Sequence, residues 1–190
     1  MNKKPFSIML AMLFALTFLA ADGSAQEKKK PDHYSAVAVA VRGVAAARSV
    51  NLDFHINEYT SDEKAKELAD ILREGDVHAL RRAMEKLDIG QVSPTGRIGT
   101  PIAFARTRQT DRGLLITIAT ARDMPFFEMY RSGRSTDYPL GVFQLLVDEK
   151  GRGEGSAITA ARVKFDKEGT LVLESYGHLD TVRLSNVRRY

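Results

Sequence analysis

The strongest constraint in this sequence is a two-residue rhythm that recurs from residue 50 onward. In "LDFHIN", Leu52, Phe54 and Ile56 alternate with Asp53, His55 and Asn57. Successive side chains of an extended chain point to opposite faces, so such a segment buries one face and wets the other. Further runs rich in apolar and β-branched residues follow: "PIAFARTRQ", "LLITIATAR", "LGVFQLLVD", "SAITAARVKF", "TLVLESY" and "TVRLSNV". Turn residues separate them, in "TDRG", "EKGRGEG", "KEG" and "HLD". "GQVSPTGRIGT" carries three glycines and a proline, as tight turns between short edge strands require. Upstream, Val37, Val39 and Val41 alternate with alanines, which suits a strand packed closely on both sides, although the alanine content also suits a helix. Seven to nine strands with short connections make an antiparallel meander. So many strands, with edges to hide, curl into a barrel-like or strongly curved sheet. The expected fold is therefore mainly β (α+β).

At Thr60 the period changes. Thr60 with Glu63 three residues on has the form of a capping box. Ala65, Leu68, Ala69, Ile71 and Leu72 then form a helical apolar stripe, and Gly75 is placed to end it by adopting a positive φ. Asp76 can cap a second helix whose apolar side is Val77, Leu80, Met84 and Leu87. A helical hairpin is thus inserted at 60–88, with Lys64, Arg81 and Glu85 on its wet side.

The N-terminus has the three parts of a secretory signal. Lys3 and Lys4 are followed by an apolar stretch from Phe6 to Ala20, and Gly23 and Ala25 precede a cut after Ala25. The apolar stretch is shorter than the ~20 residues of a spanning helix, so no stable membrane span remains after cleavage. No cysteine occurs, which removes a lipid anchor at the cut, disulfides and thiolate chemistry. The expected location is the periplasm or the exterior. Residues 26–34 are charged at first and read as a disordered leader, leaving residues 35–190 as one domain. Removing residues 1–25 takes away two lysines and one aspartate, so the formal charge falls from +4 to +3. That mild excess, without a basic helix or a stacking-aromatic motif, gives no nucleic-acid reading. An outer-membrane barrel also fits poorly: counting back from Tyr190 by twos meets Arg188 and Asn186 before Leu184 and Val182, which interrupts a lipid-facing band.

Motifs for catalysis are lacking. The four histidines, His33, His55, His78 and His178, show no metal-ligand spacing, so neither a metal nor another cofactor is called for. Asp53 and His55 share a strand face and form at most half a site. There is no G-x-S-x-G elbow, and the glycines of "GRGEG" join two strands rather than open a phosphate-binding helix. The most suggestive stretch is 121–139, "ARDMPFFEMYRSGRSTDYP", where Phe126, Phe127, Tyr130 and Tyr138 crowd a connection that also contains Arg134. These side chains would either plug the end of a barrel or form a lid over a ligand. Arg106 would receive an anionic group if the face that begins at Ile102 and Phe104 pointed inward.

The strings "NLDFHINEYTSDEKAKELADIL", "VSPTGRIGTPIAFAR", "RSTDYPLGVFQL" and "RLSNVRR" resemble a family of uncharacterised secreted bacterial proteins, from about Val50 to the end. The resemblance implies export and a single compact domain, and it carries no catalytic residue. The resulting expectation is a non-enzymatic module binding a small, partly apolar or anionic ligand or an envelope component. Candidate ligand contacts are His55, Arg106, Phe126, Phe127, Tyr130, Arg134 and Tyr138. An interaction protein, such as an assembly factor or inhibitor, and an enzyme assembled around His55 are the alternatives.

Overall fold

In the structure, a computed structural model, residues 30–40, 49–121, 140–167, 171–174 and 181–190 are described. The alternating runs form strands: β1 (Asp32–Ala40), β2 (Ser49–Ile56), β3 (Gly90–Pro94), β4 (Thr100–Pro101), β5 (Phe104–Thr110), β6 (Gly113–Thr120), β7 (Leu140–Val147), β8 (Arg152–Phe165), β9 (Leu171–Glu174) and β10 (Thr181–Arg189). Every pairing is antiparallel, in the order β4-β3-β2-β1-β10-β8-β7-β6-β5, with β9 on the second half of β8. The expected meander and curled, mainly β sheet are present.

The two ends of this order belong to one run of chain. Only Ile102 and Ala103 separate β4 from β5. Ile102 exchanges backbone hydrogen bonds with Ile89 and Gly90 beside β3, while Ala103 N donates to Ala119 O on β6. One strand thus changes partners midway and draws the sheet edges together. The switch introduces a slip in the alternation: Ile102 and Ala105 join the inner apolar cluster, whereas Ala103 and Phe104 join an outer one. Ala103 and Ala105 therefore do not share a face, contrary to their spacing.

A second slip lies in β10. Leu184 pairs with Gly155, but Val187 pairs with Gly153, and the same shift appears against β1. The extra residue is accommodated by a bulge at Asn186, whose φ is +54. Val182, Leu184 and Val187 are consequently buried, while Arg188 and Tyr190 are exposed. Counting back by twos from Tyr190 misses this change of face.

The curl encloses Tyr34, Leu52, Phe54, Ile56, Phe143 and their neighbours, with Phe54 and Phe143 edge to face at 5.2 Å. β1 begins at Asp32, so Asp32, His33 and Tyr34 are strand residues rather than the end of a leader. Their partners lie far away in sequence, which is why local composition misassigns them. Glycines allow close approach along β8: a Cβ at Gly153 would overlap Leu146 O of β7, and one at Gly155 would lie 2.3 Å from Gln144 O. The "GRGEG" glycines are thus used for strand packing and a turn.

The hairpin is also present, as α1 (Asp62–Glu74) and α2 (Val77–Met84). Its first cap is Ser61 rather than Thr60: Ser61 Oγ accepts from Lys64 N, while Thr60 Oγ1 accepts from Ala105 N on β5. Gly75 does end α1, but at φ −120, and its role is steric. A Cβ there would sit 3.0 Å from Ile71 O. Asp76 caps α2 through Ala79 N, and that bond holds its carboxyl below the usual range. Leu68, Leu80 and Met84 pack on Phe104, Ala119, Val142 and Val163, so the hairpin covers the outside of the curl near one end. Among the described residues, no helix is long and apolar enough to cross a membrane.

These placements fix an order of mutational costs. Phe54→Ala, at 0% exposure, is expected to lower unfolding stability by about 3–5 kcal/mol. Ile98→Ala, at 96% exposure in the β3–β4 turn, should change it by no more than about 0.5 kcal/mol. Urea denaturation of the two variants checks both values.

Candidate functional site

The strand registers give the curl two unlike ends. At the near end stand Asp32, Ile56, Gly90, Val147, Arg152 and Arg189. At the far end stand Ala40, Ser49, Thr120, Leu140 and Thr181, and the connections 41–48, 122–139 and 175–180 attach there.

The near end is closed by polar groups. Asp32 is 8% exposed and both of its carboxylate oxygens are engaged. Oδ1 accepts from Arg189 Nε and Nη2, and Oδ2 accepts from Tyr59 Oη at 2.7 Å. Such a carboxylate is tolerated away from water because its charge is paired and its lone pairs are used. Asp32 raises the Arg189 guanidinium further above its ordinary value. Burial, then the hydrogen bond to Asp32, pushes the Tyr59 phenol far up. Burial, then the nearby Asp32 charge, also raises Tyr34, whose Oη makes no hydrogen bond of standard geometry among the described residues.

At the far end the inward row of β6 runs through Ile116 and Ile118, and its alternation continues to Thr120. Thr120 is buried opposite Gly141, and its Oγ1 has no hydrogen-bond partner among the described residues. Sequence reasoning did not single out Thr120. Its place as the last residue before a long connection was the available signal.

His55 and Arg106 lie elsewhere. Leu52, Phe54 and Ile56 face the interior, so His55 faces outward on β2. There it stands directly opposite His33 of β1, with His55 Nδ1 and His33 Nε2 3.0 Å apart. Among the described residues, no carboxylate or serine is hydrogen-bonded to it. Arg106 shares the outer face with Phe104, beneath the hairpin, and its side chain is 18% exposed. Its Nη2 donates to Asp62 Oδ1 at 2.6 Å, so its anionic partner is part of α1. Neither residue faces the apolar interior. Phe126, Phe127, Tyr130, Arg134 and Tyr138 lie outside the described residues.

A separate open groove of 520 Å³ follows the hairpin, lined by Ile71, Ala79, Arg82, Ala83, Glu85 and Lys86. Comparison with family models, curated proteins and solved structures gives no match.

The raised tyrosines predict an alkaline limit. A phenol held neutral in the folded state contributes stability below the unfolded value near 10, and loses it as pH rises above that value. Both Tyr34 and Tyr59 should therefore lower unfolding stability as pH rises above 10. In Tyr59→Phe, urea midpoints measured between pH 9 and pH 11 should fall less steeply than in the parent.

Proposed function

We propose that this chain is an exported, non-enzymatic module that binds a small, partly apolar ligand carrying one polar or anionic end. The observation that carries this reading is Thr120. A buried hydroxyl without a partner costs about 1–3 kcal/mol, and a polar atom of a ligand offsets that cost. The asymmetry of the curl supports the same direction of entry. Its near end is sealed by Asp32, Arg189 and Tyr59, while three connections attach at the far end. The inward row of the far half includes the small residues Ala38, Ala105 and Ala157, beside Ile118 and Phe143. In this proposal the 122–139 connection supplies the mouth. Phe126, Phe127, Tyr130 and Tyr138 cover the apolar part, and Arg134 takes the anionic end. The secretory pattern before Gln26 supports a site in the periplasm or the exterior.

Native mass spectrometry of protein recovered from exporting bacteria tests the proposal. A bound small molecule that leaves on unfolding is expected. Thr120→Val should weaken its retention about tenfold, the value of one hydrogen bond of ~1.4 kcal/mol, without loss of folding stability. Empty protein in every preparation would remove this reading. It would favour an interaction protein using the hairpin groove lined by Ile71 and Ala83.

A further inference from the structure

Each strand pair that brings the inner apolar residues into register also aligns the outer row. Asp32 pairs with Ile56, His33 with His55 and Tyr34 with Phe54. Tyr34, Phe54 and Ile56 are anchored in the interior, so the two histidines are held directly opposite each other on the outside. The rings meet at an interplanar angle of 72°, with centroids 4.1 Å apart. Their facing nitrogens, His55 Nδ1 and His33 Nε2, are 3.0 Å apart. When both rings are neutral, one of these nitrogens must donate and the other accept, so a single proton occupies the gap.

We propose that His33 and His55 form a two-imidazole site for a divalent transition-metal ion, with copper(II) the tightest binder. Metal–imidazole bonds are about 2.0–2.1 Å long, which puts two tetrahedral nitrogen ligands about 3.3 Å apart and two ligands at a right angle about 2.9 Å apart. The 3.0 Å gap falls within that range. Small turns of the two side chains point both lone pairs at one ion, and the shared proton passes through water to the far nitrogen of the donor ring. No backbone movement is needed, because paired strands already fix the separation. His33 is exposed and His55 half-buried, so the remaining coordination positions are open to water. Among the described residues, no third His, Cys, Asp or Glu completes a protein-only metal group, and water completes the shell instead. For nitrogen ligands of this kind, affinity rises along the first-row series to copper(II) and falls at zinc. Asp53, two residues along the same outward face of β2, adds a negative charge near the incoming cation. The histidines lie 22 residues apart in the chain, so only the folded protein presents them together. The spacing rules for metal motifs miss such a pair because its proximity comes from register.

The test uses untagged protein and copper(II) alone, followed by electron paramagnetic resonance and by competition with a chelator. One ion per chain with two imidazole nitrogens is expected. His33→Gln and His55→Gln should each weaken binding at least tenfold, whereas His78→Gln and His178→Gln should leave it unchanged. Both site variants point outward, so circular dichroism should match the parent. Zinc(II) alone provides a second reading: it should raise the thermal midpoint of the parent and leave that of His33→Gln/His55→Gln unmoved. Equal copper affinity in the parent and both single variants, or a spectrum with one imidazole only, would overturn the site. So would a zinc shift that persists in the double variant. None of these outcomes bears on the interior ligand, which is read by mass spectrometry and Thr120→Val.

Discussion

The structure depends on the pairing of its first strand with its last. β1 and β10 are separated by almost the whole domain, yet their antiparallel ladder joins the β1–β4 half of the sheet to the β6–β10 half. Without that ladder the halves would be connected through the bent run at residues 100–110 and the hairpin beside it. Arg189 and Asp32 reinforce the pairing at one end, where the carboxylate also accepts from Tyr59. A buried carboxylate is costly by itself, but here it becomes a register device. A one-residue slip of β10 against β1 would send Arg189 outward and leave Asp32 near Tyr34 without its cation.

Much of this architecture was legible in the sequence. The alternation in Leu52, Phe54 and Ile56 gives the inward face correctly, because both neighbours of β2 are strands and the period is unbroken. The hairpin was legible from its stripe and from Asp76, since helix caps are local interactions. The two slips were not. Asn186 and the Ile102–Ala103 junction depend on which strands lie alongside, and that information is absent from a local window. The same limit explains Arg106. Its place on a strand was evident, but its partner Asp62 comes from a helix 44 residues away. His33 is missed for a similar reason, having been assigned to a leader by the charge and proline just before it.

Inside and outside also do different chemical work. The interior is apolar through most of its length and becomes polar at both ends, through Asp32, Tyr34 and Tyr59 at one and Thr120 at the other. At the first end the polar atoms are largely satisfied by one another, which suits a seal. At the second, the Thr120 hydroxyl has no hydrogen-bond partner among the described residues. Outside, β1 and β2 bring polar side chains face to face, as with His33 and His55. A strand pair anchored on one face can therefore position side chains on the other with little freedom lost at binding.

β5 couples these two sides. Ala105 turns into the curl while Phe104 and Arg106 turn toward the hairpin, and the slip before Phe104 makes both assignments possible. Thr60 binds Ala105 through its backbone N–H and its hydroxyl, so the hairpin begins on the same strand that draws the sheet edges together. Arg106 strengthens that junction through Asp62, although its Nη1 is buried without a hydrogen bond among the described residues. A cation held this way gains less than a fully paired one, because part of its desolvation is not repaid. Its value is positional: it specifies which end of α1 meets β5, while Leu68, Leu80 and Met84 supply the apolar contact. Hairpin docking and sheet closure thus meet in a few residues, and a change in the Ile102–Arg106 segment acts on both layers at once.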